Sequence, residues 1–292
     1  MKVLVTGSSG FIGLNACESF RTFGYEVRGA DVASSENAVD IRDFKLLCKV
    51  FSEFRPDVVL HLAALASVPE SERDPLKAYT TNVMGTLNVV ECANRLNAKA
   101  ILASSAAVYG QPEILPTPET VPLSPTNIYG ATKIAAEHIV NLRAKEGLIF
   151  RLFNVYGPNC NRSYVIPDTI RKAINGENPI CAQGTGQEKR DFVYVTDVID
   201  AFRLGMEREL EGTFNVGSGE TISMKDLISK IISVSGSEAQ LTFAGSSRLG
   251  DFPCNWADLS RIRTVLDWSP KISLEEGLRK TIGWYRKIAK KV

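Results

Sequence analysis

The first half of the sequence alternates short apolar runs with longer amphipathic segments, and this alternation limits the folds that the chain can adopt. The apolar runs lie at residues 2–6, 26–30, 57–62, 99–104 and 148–153. Amphipathic helices are predicted between them, at residues 11–23, 43–54, 75–96 and 126–146. Continuous apolar strands joined by helices form a mostly parallel sheet that helices cover on both faces. We therefore predict an α/β fold built on a doubly wound parallel sheet.

The pattern becomes less regular after about residue 156, where glycine, proline and asparagine are frequent. Four further helices are predicted there, at residues 164–174, 197–208, 223–235 and 273–289. We predict that residues 1–156 form the sheet domain, to which residues 191–215 return. A smaller α/β domain is predicted from residues 157–190 and 216–292. It is expected to rest on the carboxyl ends of the strands, where doubly wound sheets bind ligands.

The composition excludes several functional classes. The formal net charge is +1, so no strong attraction to nucleic acid or to an anionic membrane is expected. The six cysteines are scattered and only two histidines are present, so neither structural disulfides nor a metal site is expected. No apolar run approaches the roughly 18 residues of a membrane span. We therefore expect a cytoplasmic protein.

A glycine-rich turn follows the first predicted strand. The segment TGSSGFIG contains Gly7, Gly10 and Gly13 at three-residue intervals, with Phe11 and Ile12 between the last two, and it opens a helix. Glycines allow a tight turn and let backbone N–H groups approach a pyrophosphate at the positive end of the helix dipole. A strand before the motif and a helix after it are the context of a Rossmann dinucleotide site. We predict that these five residues bind a dinucleotide.

Asp31 ends the second predicted strand and indicates which dinucleotide binds. Its carboxylate would accept hydrogen bonds from an adenosine ribose and repel a 2′-phosphate. Two like charges about 4 Å apart repel by about 4 kcal/mol at an effective dielectric constant of about 20. This repulsion is enough to exclude NADP, so we predict NAD.

Two further segments are predicted to line the cofactor site. Asp40 and Ile41 are expected to hold the adenine, one by a hydrogen bond and one by packing. The connection at residues 33–39 is short for a helical crossover, so no helix is expected there. The third predicted strand ends in small residues that a cofactor can approach closely: Leu62, Ala63 and Ala64. His61, just before them, is expected to be a structural histidine.

Ser104 and Ser105 lie where the fourth predicted strand ends, in the segment SSAAVYG. A nucleophilic serine needs a general base, usually histidine, and histidines are scarce in this chain. Tyr129 and Lys133 lie four residues apart on one face of a predicted helix, which brings the ammonium near the phenol. A phenol with a pKa of about 10 needs a shift of about 3 units, or about 4 kcal/mol, to act as a base near neutral pH. Lys133 and an oxidised nicotinamide are two positive charges that can supply this shift.

Several motifs together resemble the extended short-chain dehydrogenase/reductase family. They are TGSSGFIG, HLAA, SSAAVYG, YGATK, RLFNVYGP, QEKRDFVYVTDV, FNVGSG and LGDFPCNWADLSRI. The resemblance covers nearly the whole chain and points to the nucleotide-sugar epimerases and dehydratases. It implies that a hydride passes from the sugar C4 to NAD while a base takes the O4 proton, and that the hydride then returns to the opposite face of a 4-keto sugar.

The resemblance also implies roles for residues at matching positions. Ser105 would hydrogen-bond the sugar O4, and Tyr129 would remove its proton. Lys133 would hold the nicotinamide ribose and lower the pKa of Tyr129, so both would also contact the cofactor. Asn82 and Ser104 are expected on the cofactor side. The other residues expected to bind the nucleotide sugar are Ser67, Asn154, Arg190, Arg248, Asp251 and Asn255.

Ala106 and Ala107 favour epimerisation over elimination. Relatives that eliminate water carry an acidic pair here, because removing one proton and expelling an oxygen needs a base and an acid. Asn255 stands where some galactose epimerases have a tyrosine, which leaves room for an N-acetyl group. We therefore expect C4 epimerisation of UDP-glucose and UDP-galactose, and also of UDP-N-acetylhexosamines. The alternatives are an epimerase or reductase of another nucleotide sugar (UDP-glucuronate, a dTDP-sugar or a GDP-sugar) and a non-catalytic NAD-sensing protein.

The helix predicted at residues 75–96 is apolar over about 240° of its circumference, which is more than packing on a sheet requires. A homodimer through this helix and the helix at residues 126–146 would cover the remainder. A long loop of the same chain is the alternative. We expect the homodimer.

Overall fold

The computed structural model describes residues 1–34, 38–160, 164–245 and 254–289. Its first part contains β1 (Lys2–Thr6), α1 (Phe11–Thr22), β2 (Glu26–Ala30), α2 (Phe44–Phe54), β3 (Val58–His61), α3 (Val68–Arg73), α4 (Pro75–Tyr79), α5 (Gly85–Leu96), β4 (Lys99–Ser105), α6 (Ile128–Arg143) and β5 (Gly147–Leu152). A π-helical turn lies at Thr80–Met84 and a 3₁₀ turn at Ala106–Tyr109.

The later part contains β6 (Asn154–Tyr156), α7 (Val165–Ile174), β7 (Ile180–Ala182), β8 (Lys189–Arg190), β9 (Phe192–Tyr194), α8 (Val195–Glu207), β10 (Gly212–Val216), β11 (Ile222–Ser223), α9 (Met224–Val234), β12 (Leu241–Phe243), β13 (Cys254–Asn255), α10 (Ser260–Leu266) and α11 (Leu274–Ala289). No helix in the described part of the chain is long and apolar enough to span a lipid bilayer.

Six strands form a parallel central sheet in the order β10-β5-β4-β3-β1-β2. The strand order reverses at β1, because β2 pairs with one of its edges and β3 with the other. Doubly wound sheets bind ligands in the crevice outside the strands at such a reversal. The predicted fold class, a doubly wound parallel sheet with a smaller C-terminal α/β part, is confirmed.

Helices cover both faces of this sheet. Alternate residues of β1 enter two cores, Val3 on one face and Leu4 on the other. The face of Leu4 packs on α2, α5 and α6, for example through the buried Val89. The face of Val3 packs on α1, α8 and α10, with Phe20 at its centre. Burial on both faces explains why the strands are continuously apolar in sequence.

The smaller part of the chain has its own core and short sheets. Helices α7, α9 and α11 pack together around Ile170, Leu227 and Leu278. The short strands form the sheets β11-β8-β13, β12-β7 and β6-β9. Strand β10 pairs with β5, so part of the predicted returning segment lies in the central sheet. The domain limits themselves stay a prediction.

The predicted strands and helices match the structure to within about one turn at their ends. The main difference is the helix predicted at residues 75–96, which is interrupted by the π-helical turn. Periodicity did not predict this turn, because apolar positions covered about 240° of the predicted helix, and a local change of phase leaves no break in so wide an apolar face. The described residues between β2 and α2 contain no helix, as expected.

Asp191 fastens the smaller part of the chain to the central sheet. It lies between β8 and β9 and is fully buried. One carboxylate oxygen accepts hydrogen bonds from the N–H and the hydroxyl of Ser218, at 2.6 and 2.7 Å. The other accepts from the N–H groups of Gly219 and Ala257, at 3.0 and 3.1 Å. Its main-chain carbonyl accepts from the backbone and the side-chain amide of Asn154.

Replacing Asp191 with Asn should destabilise the protein, because an amide NH₂ would then face N–H groups that the carboxylate accepts. We expect the free energy of unfolding to fall by about 3 kcal/mol in urea denaturation. Glu238→Gln, at an exposed position, serves as the control and should change stability by less than about 0.5 kcal/mol. Equal stability of the Asp191→Asn variant and the control would contradict this role.

Candidate active site

The glycine-rich turn is packed so closely that side chains would not fit. Gly7 has φ of +73°, and a Cβ there would lie 2.7 Å from the backbone nitrogen of Ala63 after β3. A Cβ on Gly13 would clash with the carbonyl oxygen of Gly7. Gly10 is the N-cap of α1 and supplies no side-chain cap. The N-terminus of α1 therefore presents backbone N–H groups beside a backbone cradle, as a pyrophosphate requires.

Asp31 lies at the same edge of the sheet, next to the glycine-rich turn. Its Oδ2 accepts a hydrogen bond from the N–H of Ser9 at 3.0 Å, and its Oδ1 accepts from the N–H of Ala33 at 2.8 Å. Gly29 leaves space for this arrangement, since a Cβ there would lie 2.5 Å from the hydroxyl oxygen of Ser8. The cradle and the carboxylate beside it fit a dinucleotide with a free ribose 2′-hydroxyl.

Asp40 and Ile41 have partners within the chain. The Asp40 carboxylate forms a bidentate pair with Arg42, at 2.5–3.0 Å, and this pairing lowers the pKa of Asp40. The Ile41 side chain is buried and packs where α5 begins, since a Cβ on Gly85 would clash with it. Their predicted contacts with an adenine ring stay predictions.

His61 ends β3 with both ring nitrogens hydrogen-bonded to threonine hydroxyls. The hydroxyl of Thr86 donates to the carbonyl of Asn82 at 2.5 Å, so it accepts from Nε2–H of His61 at 2.9 Å. Nδ1 of His61 then accepts from the hydroxyl of Thr6 at 2.7 Å. Burial lowers the pKa of His61 to about 3, and the charge of Lys133 adds to this effect. His61 is therefore neutral and structural, as expected.

Asn82 lies in the π-helical turn and connects two segments of the site. Its side-chain oxygen accepts from the N–H of Leu65 at 2.7 Å, in the loop after β3 that contains the predicted residues Leu62, Ala63 and Ala64. Its amide nitrogen donates to the carbonyl of Leu65 and to the hydroxyl of Thr132 on α6, at 3.2 and 2.9 Å. π-helical turns occur often at functional sites. Here the turn places the buried side-chain amide of Asn82 where it bonds both the loop after β3 and α6.

The 3₁₀ turn after β4 is the point of contact between Ser105 and α6. The Oγ of Ser105 accepts from the N–H of Ala107 at 3.2 Å, which orients the hydroxyl. A Cβ on Gly130 would lie 2.6 Å from the carbonyl oxygen of Ala107. Only glycine allows the first turn of α6 to pack this closely. Tyr129, the residue before Gly130, is thereby brought to the 3₁₀ turn.

Lys133 lies one helical turn beyond Tyr129, as the four-residue spacing predicts. Its ammonium nitrogen is 5.9 Å from the centroid of the Tyr129 ring. It donates to the carbonyl of Ala103 on β4 at 2.8 Å and is almost completely buried. Burial lowers the pKa of Lys133 to about 8, while the negative charge of Glu137 opposes this shift. The ammonium is therefore mostly charged at neutral pH.

Glu137 lies one turn further along α6 and is the centre of a buried polar cluster. It accepts a hydrogen bond from the hydroxyl of Ser104 at 2.5 Å. Arg151 on β5 donates to both of its carboxylate oxygens, with the shortest contact at 2.7 Å. The hydroxyl of Ser104 thus points toward this cluster.

The residues predicted to bind a nucleotide sugar are only partly brought together. Arg190 and Asn255 are register partners in β8 and β13. Asn154 is exposed near them and donates to the carbonyl of Asp191. Ser67 caps α3 by accepting from the N–H of Glu70 at 3.3 Å. The remaining two predicted residues lie outside the described part of the chain: Arg248 and Asp251.

Sequence reasoning missed the buried residues that hold the site in place, Thr86, Thr132, Glu137 and Arg151. Local signals existed for Glu137, four residues after Lys133, and for Thr86, four residues after Asn82, because residues at this spacing share one helix face. The others reach the site through strand pairing and helix packing, which the sequence pattern does not encode.

The fold and the site define a dinucleotide-dependent enzyme. The family model of the NAD-dependent epimerase/dehydratase family matches residues 3–217. UDP-glucose 4-epimerase of Mycolicibacterium smegmatis is 33% identical to the chain over 322 aligned positions, which cover 98% of this chain and 99% of the relative. The chain therefore belongs to the NAD-dependent epimerase/dehydratase family. The predicted family, the prediction of an enzyme and the prediction of NAD are confirmed.

Solved structures of similar proteins cover the whole chain. UDP-glucose 4-epimerase from Thermotoga maritima, solved with UDP-glucose, has a TM-score of 0.92 at 32% identity and covers 99% of this chain and 100% of that chain. UDP-glucuronic acid 4-epimerase from Bacillus cereus, in complex with UDP-glucuronic acid and NAD, has a TM-score of 0.88 at 29% identity, with coverage of 99% and 100%. Proteins similar to this chain thus act on more than one UDP-sugar.

Replacing Glu137 with Gln should both destabilise the protein and lower the pKa of Lys133. Arg151 would be left buried without its counter-charge, which costs about 3–5 kcal/mol of unfolding free energy. The carboxylate raises the pKa of Lys133, so its removal should lower that pKa below the value of about 8. NMR titration of ¹³C-labelled lysines, with Lys133→Arg for assignment, would measure this change.

Two companion variants separate the electrostatic effect from a loss of folding. Glu137→Asp keeps the charge and should keep the pKa of Lys133 near that of the original protein. The double variant Glu137→Gln/Arg151→Met leaves no unpaired charge and should be more stable than the single variant. An unchanged pKa of Lys133 in folded Glu137→Gln would show that Glu137 does not control the charge of Lys133.

Proposed function

We propose that the protein catalyses NAD-dependent epimerisation at C4 of a UDP-hexose, with UDP-glucose and UDP-galactose as its substrates. The observation that supports this most directly is the contact between α6 and the 3₁₀ turn. Through this contact the first turn of α6, which carries Tyr129, packs on the backbone of Ala107, and the 3₁₀ turn carries two alanines after Ser105 rather than an acidic pair. An elimination needs an acid and a base at that point, and an epimerisation does not.

In this proposal three side chains perform the proton chemistry. Ser105 donates its hydroxyl hydrogen to the sugar O4 and orients it. Tyr129 takes the O4 proton as a phenolate and returns it in the second half of the reaction. The buried ammonium of Lys133, held by the carbonyl of Ala103, stabilises that phenolate electrostatically. Glu137 acts indirectly, since its negative charge favours the ammonium form of Lys133.

NAD would lie along the cradle formed by the glycine-rich turn. Gly7, Gly10 and Gly13 leave space for the pyrophosphate, and Asp31 would bind the adenosine ribose. Lys133 would hold the nicotinamide ribose. When bound, NAD accepts a hydride from the sugar C4 and gives it back, so that no external reductant is consumed.

We propose that the nucleotide sugar is held from the smaller part of the chain. Arg190 is suited to the diphosphate, because a guanidinium fork donates two parallel hydrogen bonds to phosphate oxygens. Asn255, its register partner, and Asn154 would contact the nucleotide or the sugar. The same role is proposed for the residues Ser67, Arg248 and Asp251. Asn255 is smaller than tyrosine, so we propose that N-acetylhexosamines also fit.

A second candidate function is C4 epimerisation of UDP-glucuronate. It is favoured by the similarity over the whole chain to the Bacillus cereus enzyme that was solved with UDP-glucuronic acid. A C5 carboxylate would need a cationic or hydroxyl partner in the sugar pocket. A reductase would instead consume reduced cofactor stoichiometrically, and an NAD sensor would turn over no sugar.

The deciding experiment is incubation of the purified protein with UDP-glucose, UDP-galactose, UDP-N-acetylglucosamine and UDP-glucuronate, without added reductant. Products are separated and identified by chromatography and mass spectrometry. We expect interconversion of UDP-glucose and UDP-galactose. Tyr129→Phe should lower turnover by at least about 100-fold, because it removes the base. The control variant Tyr25→Phe loses only a hydroxyl that donates to Glu207. It should be nearly as active as the original protein. Turnover of UDP-glucuronate alone would favour the second candidate.

We also propose a homodimer through α4, α5 and α6. Large apolar side chains lie exposed on this part of the surface, including Leu76 and Met84 at 75% and 52% exposure. A second copy would cover them.

A reducing compartment, the cytoplasm, is proposed for the same protein, since the described residues contain no disulfide.

Met84→Asp should convert the dimer to a monomer, because burying an unpaired carboxylate in an apolar interface is unfavourable. Size-exclusion chromatography with light scattering measures the mass, for which one chain contributes 32.0 kDa. Val265→Asp, at another exposed apolar position, should leave the dimer intact. A monomeric original protein would contradict the proposal.

A further inference from the structure

Two cysteine thiols are in contact on neighbouring helices outside the candidate active site. Cys48 lies on α2 and Cys92 on α5, and their sulfur atoms are 2.9 Å apart. Both helices pack on the same face of the central sheet. A disulfide requires a sulfur separation of about 2.05 Å, so the two atoms need to approach by only about 0.9 Å. The helices are therefore already placed for a bond between them.

A cation and an aromatic ring flank this thiol pair. The guanidinium of Arg95, one turn beyond Cys92 on α5, donates to the sulfur of Cys48 at 3.5 Å. The same guanidinium lies 4.8 Å from the centroid of the Phe44 ring, which is one turn before Cys48 on α2. The stacking holds the positive charge next to the sulfur. A neighbouring cation stabilises a thiolate, which is the reactive form of cysteine.

The two thiols differ in their access to solvent. Cys92 is 1% exposed, and burial, together with the hydrogen bond to Cys48, raises its pKa. Cys48 is half-buried and, with Lys49 and Arg95, lines a surface cavity of about 290 Å³ that also reaches Cys92. A small oxidant can therefore enter the cavity and meet Cys48 first. The buried thiol of Cys92 can then react only after Cys48 has been oxidised.

We propose that Cys48 and Cys92 form a reversible oxidation site that a small hydroperoxide converts to a disulfide. The Cys48 thiolate attacks one oxygen of the peroxide, the S–O bond of a sulfenic acid forms as the O–O bond breaks, and the second oxygen leaves as water or an alcohol after taking up the proton that Cys48 has lost. The sulfur of Cys92 then attacks the Cys48 sulfenic acid, the S–S bond forms and the S–O bond breaks, and water leaves with the Cys92 proton. The two sulfurs lose two electrons, which the peroxide gains. A dithiol reductant reverses the reaction.

The disulfide would connect α2 directly to α5. It would close a loop that contains β3, α3, α4 and the π-helical turn. Closing such a long loop restricts the unfolded chain and stabilises the fold. We expect the oxidised protein to have a melting temperature at least about 5 °C higher than the reduced protein. The site does not depend on the proposed function, because it is argued from residues that have no assigned role in the candidate active site.

The test treats the folded protein with hydrogen peroxide, removes the peroxide, and then alkylates the remaining thiols with N-ethylmaleimide in guanidinium chloride, so that the buried cysteines are also accessible. With six cysteines in the chain, the oxidised protein should retain four alkylated residues and lose two hydrogen atoms in intact-mass analysis. Peptide mapping without reductant should find Cys48 linked to Cys92. Dithiothreitol should restore all six thiols. Cys181→Ser, which removes an exposed cysteine elsewhere, should form the same link at the same rate.

Two variants identify the order of the steps. Cys92→Ser should accumulate Cys48 sulfenic acid, which dimedone traps, because the second thiol is missing. Cys48→Ser should leave Cys92 reduced at peroxide concentrations that fully link the original protein. If Cys92→Ser does not fold, the proposal is still tested by the link in the original protein and by the reduced state of Cys92 in the Cys48→Ser variant. Six alkylated cysteines in the peroxide-treated protein, or oxidation of Cys48 beyond sulfenic acid without a link, would overturn the proposal.

Discussion

The buried ion pair between Glu137 and Arg151 fixes α6 on the central sheet. Both side chains are almost completely buried, at 3% and 8% exposure. Removing two charges from water costs several kcal/mol each, and mutual attraction offsets this only when the remaining lone pairs and protons are also satisfied. Here the hydroxyl of Ser104 donates a hydrogen bond to the Glu137 carboxylate and so satisfies one of its remaining lone pairs. The register of α6 against β4 and β5 is thereby set, and with it the position of Lys133.

The same cluster extends to the smaller part of the chain. Arg151 donates to the hydroxyl of Tyr109 at 3.0 Å, and Tyr109 donates to the side-chain oxygen of Asn215 on β10 at 2.7 Å. Asn215 donates in turn to the carbonyl of Thr117, whose hydroxyl donates to Asn255 at 3.1 Å. Hydrogen bonds thus run from α6 to β13. A larger side chain in place of Asn255 would have to replace the bond to Thr117, so the residue that fits at this position is coupled to the cluster.

The parts that sequence predicted well are those encoded by neighbouring residues. Apolar runs predicted the five strands of the first half, and short spacings predicted the turn at Gly7 and the pair Tyr129 and Lys133. The sequence could not predict the π-helical turn, the strands of two or three residues, or the partners of Asp191. These depend on hydrogen bonds between residues far apart in the chain, such as Asp191 with Ala257. Such bonds form only once the elements are packed.

The two alanines after Ser105 now have a structural context. They begin the 3₁₀ turn, and the backbone of Ala107 is used twice: its N–H bonds the Oγ of Ser105, and its carbonyl contacts the site of Gly130. The turn therefore contacts its neighbours through backbone atoms of Ala107 rather than through the alanine side chains. An acidic pair there would keep these backbone contacts, so we infer that the side chains at these two positions can distinguish elimination from epimerisation without a different turn. A shared backbone with exchangeable side chains explains how one fold in this family serves both reactions.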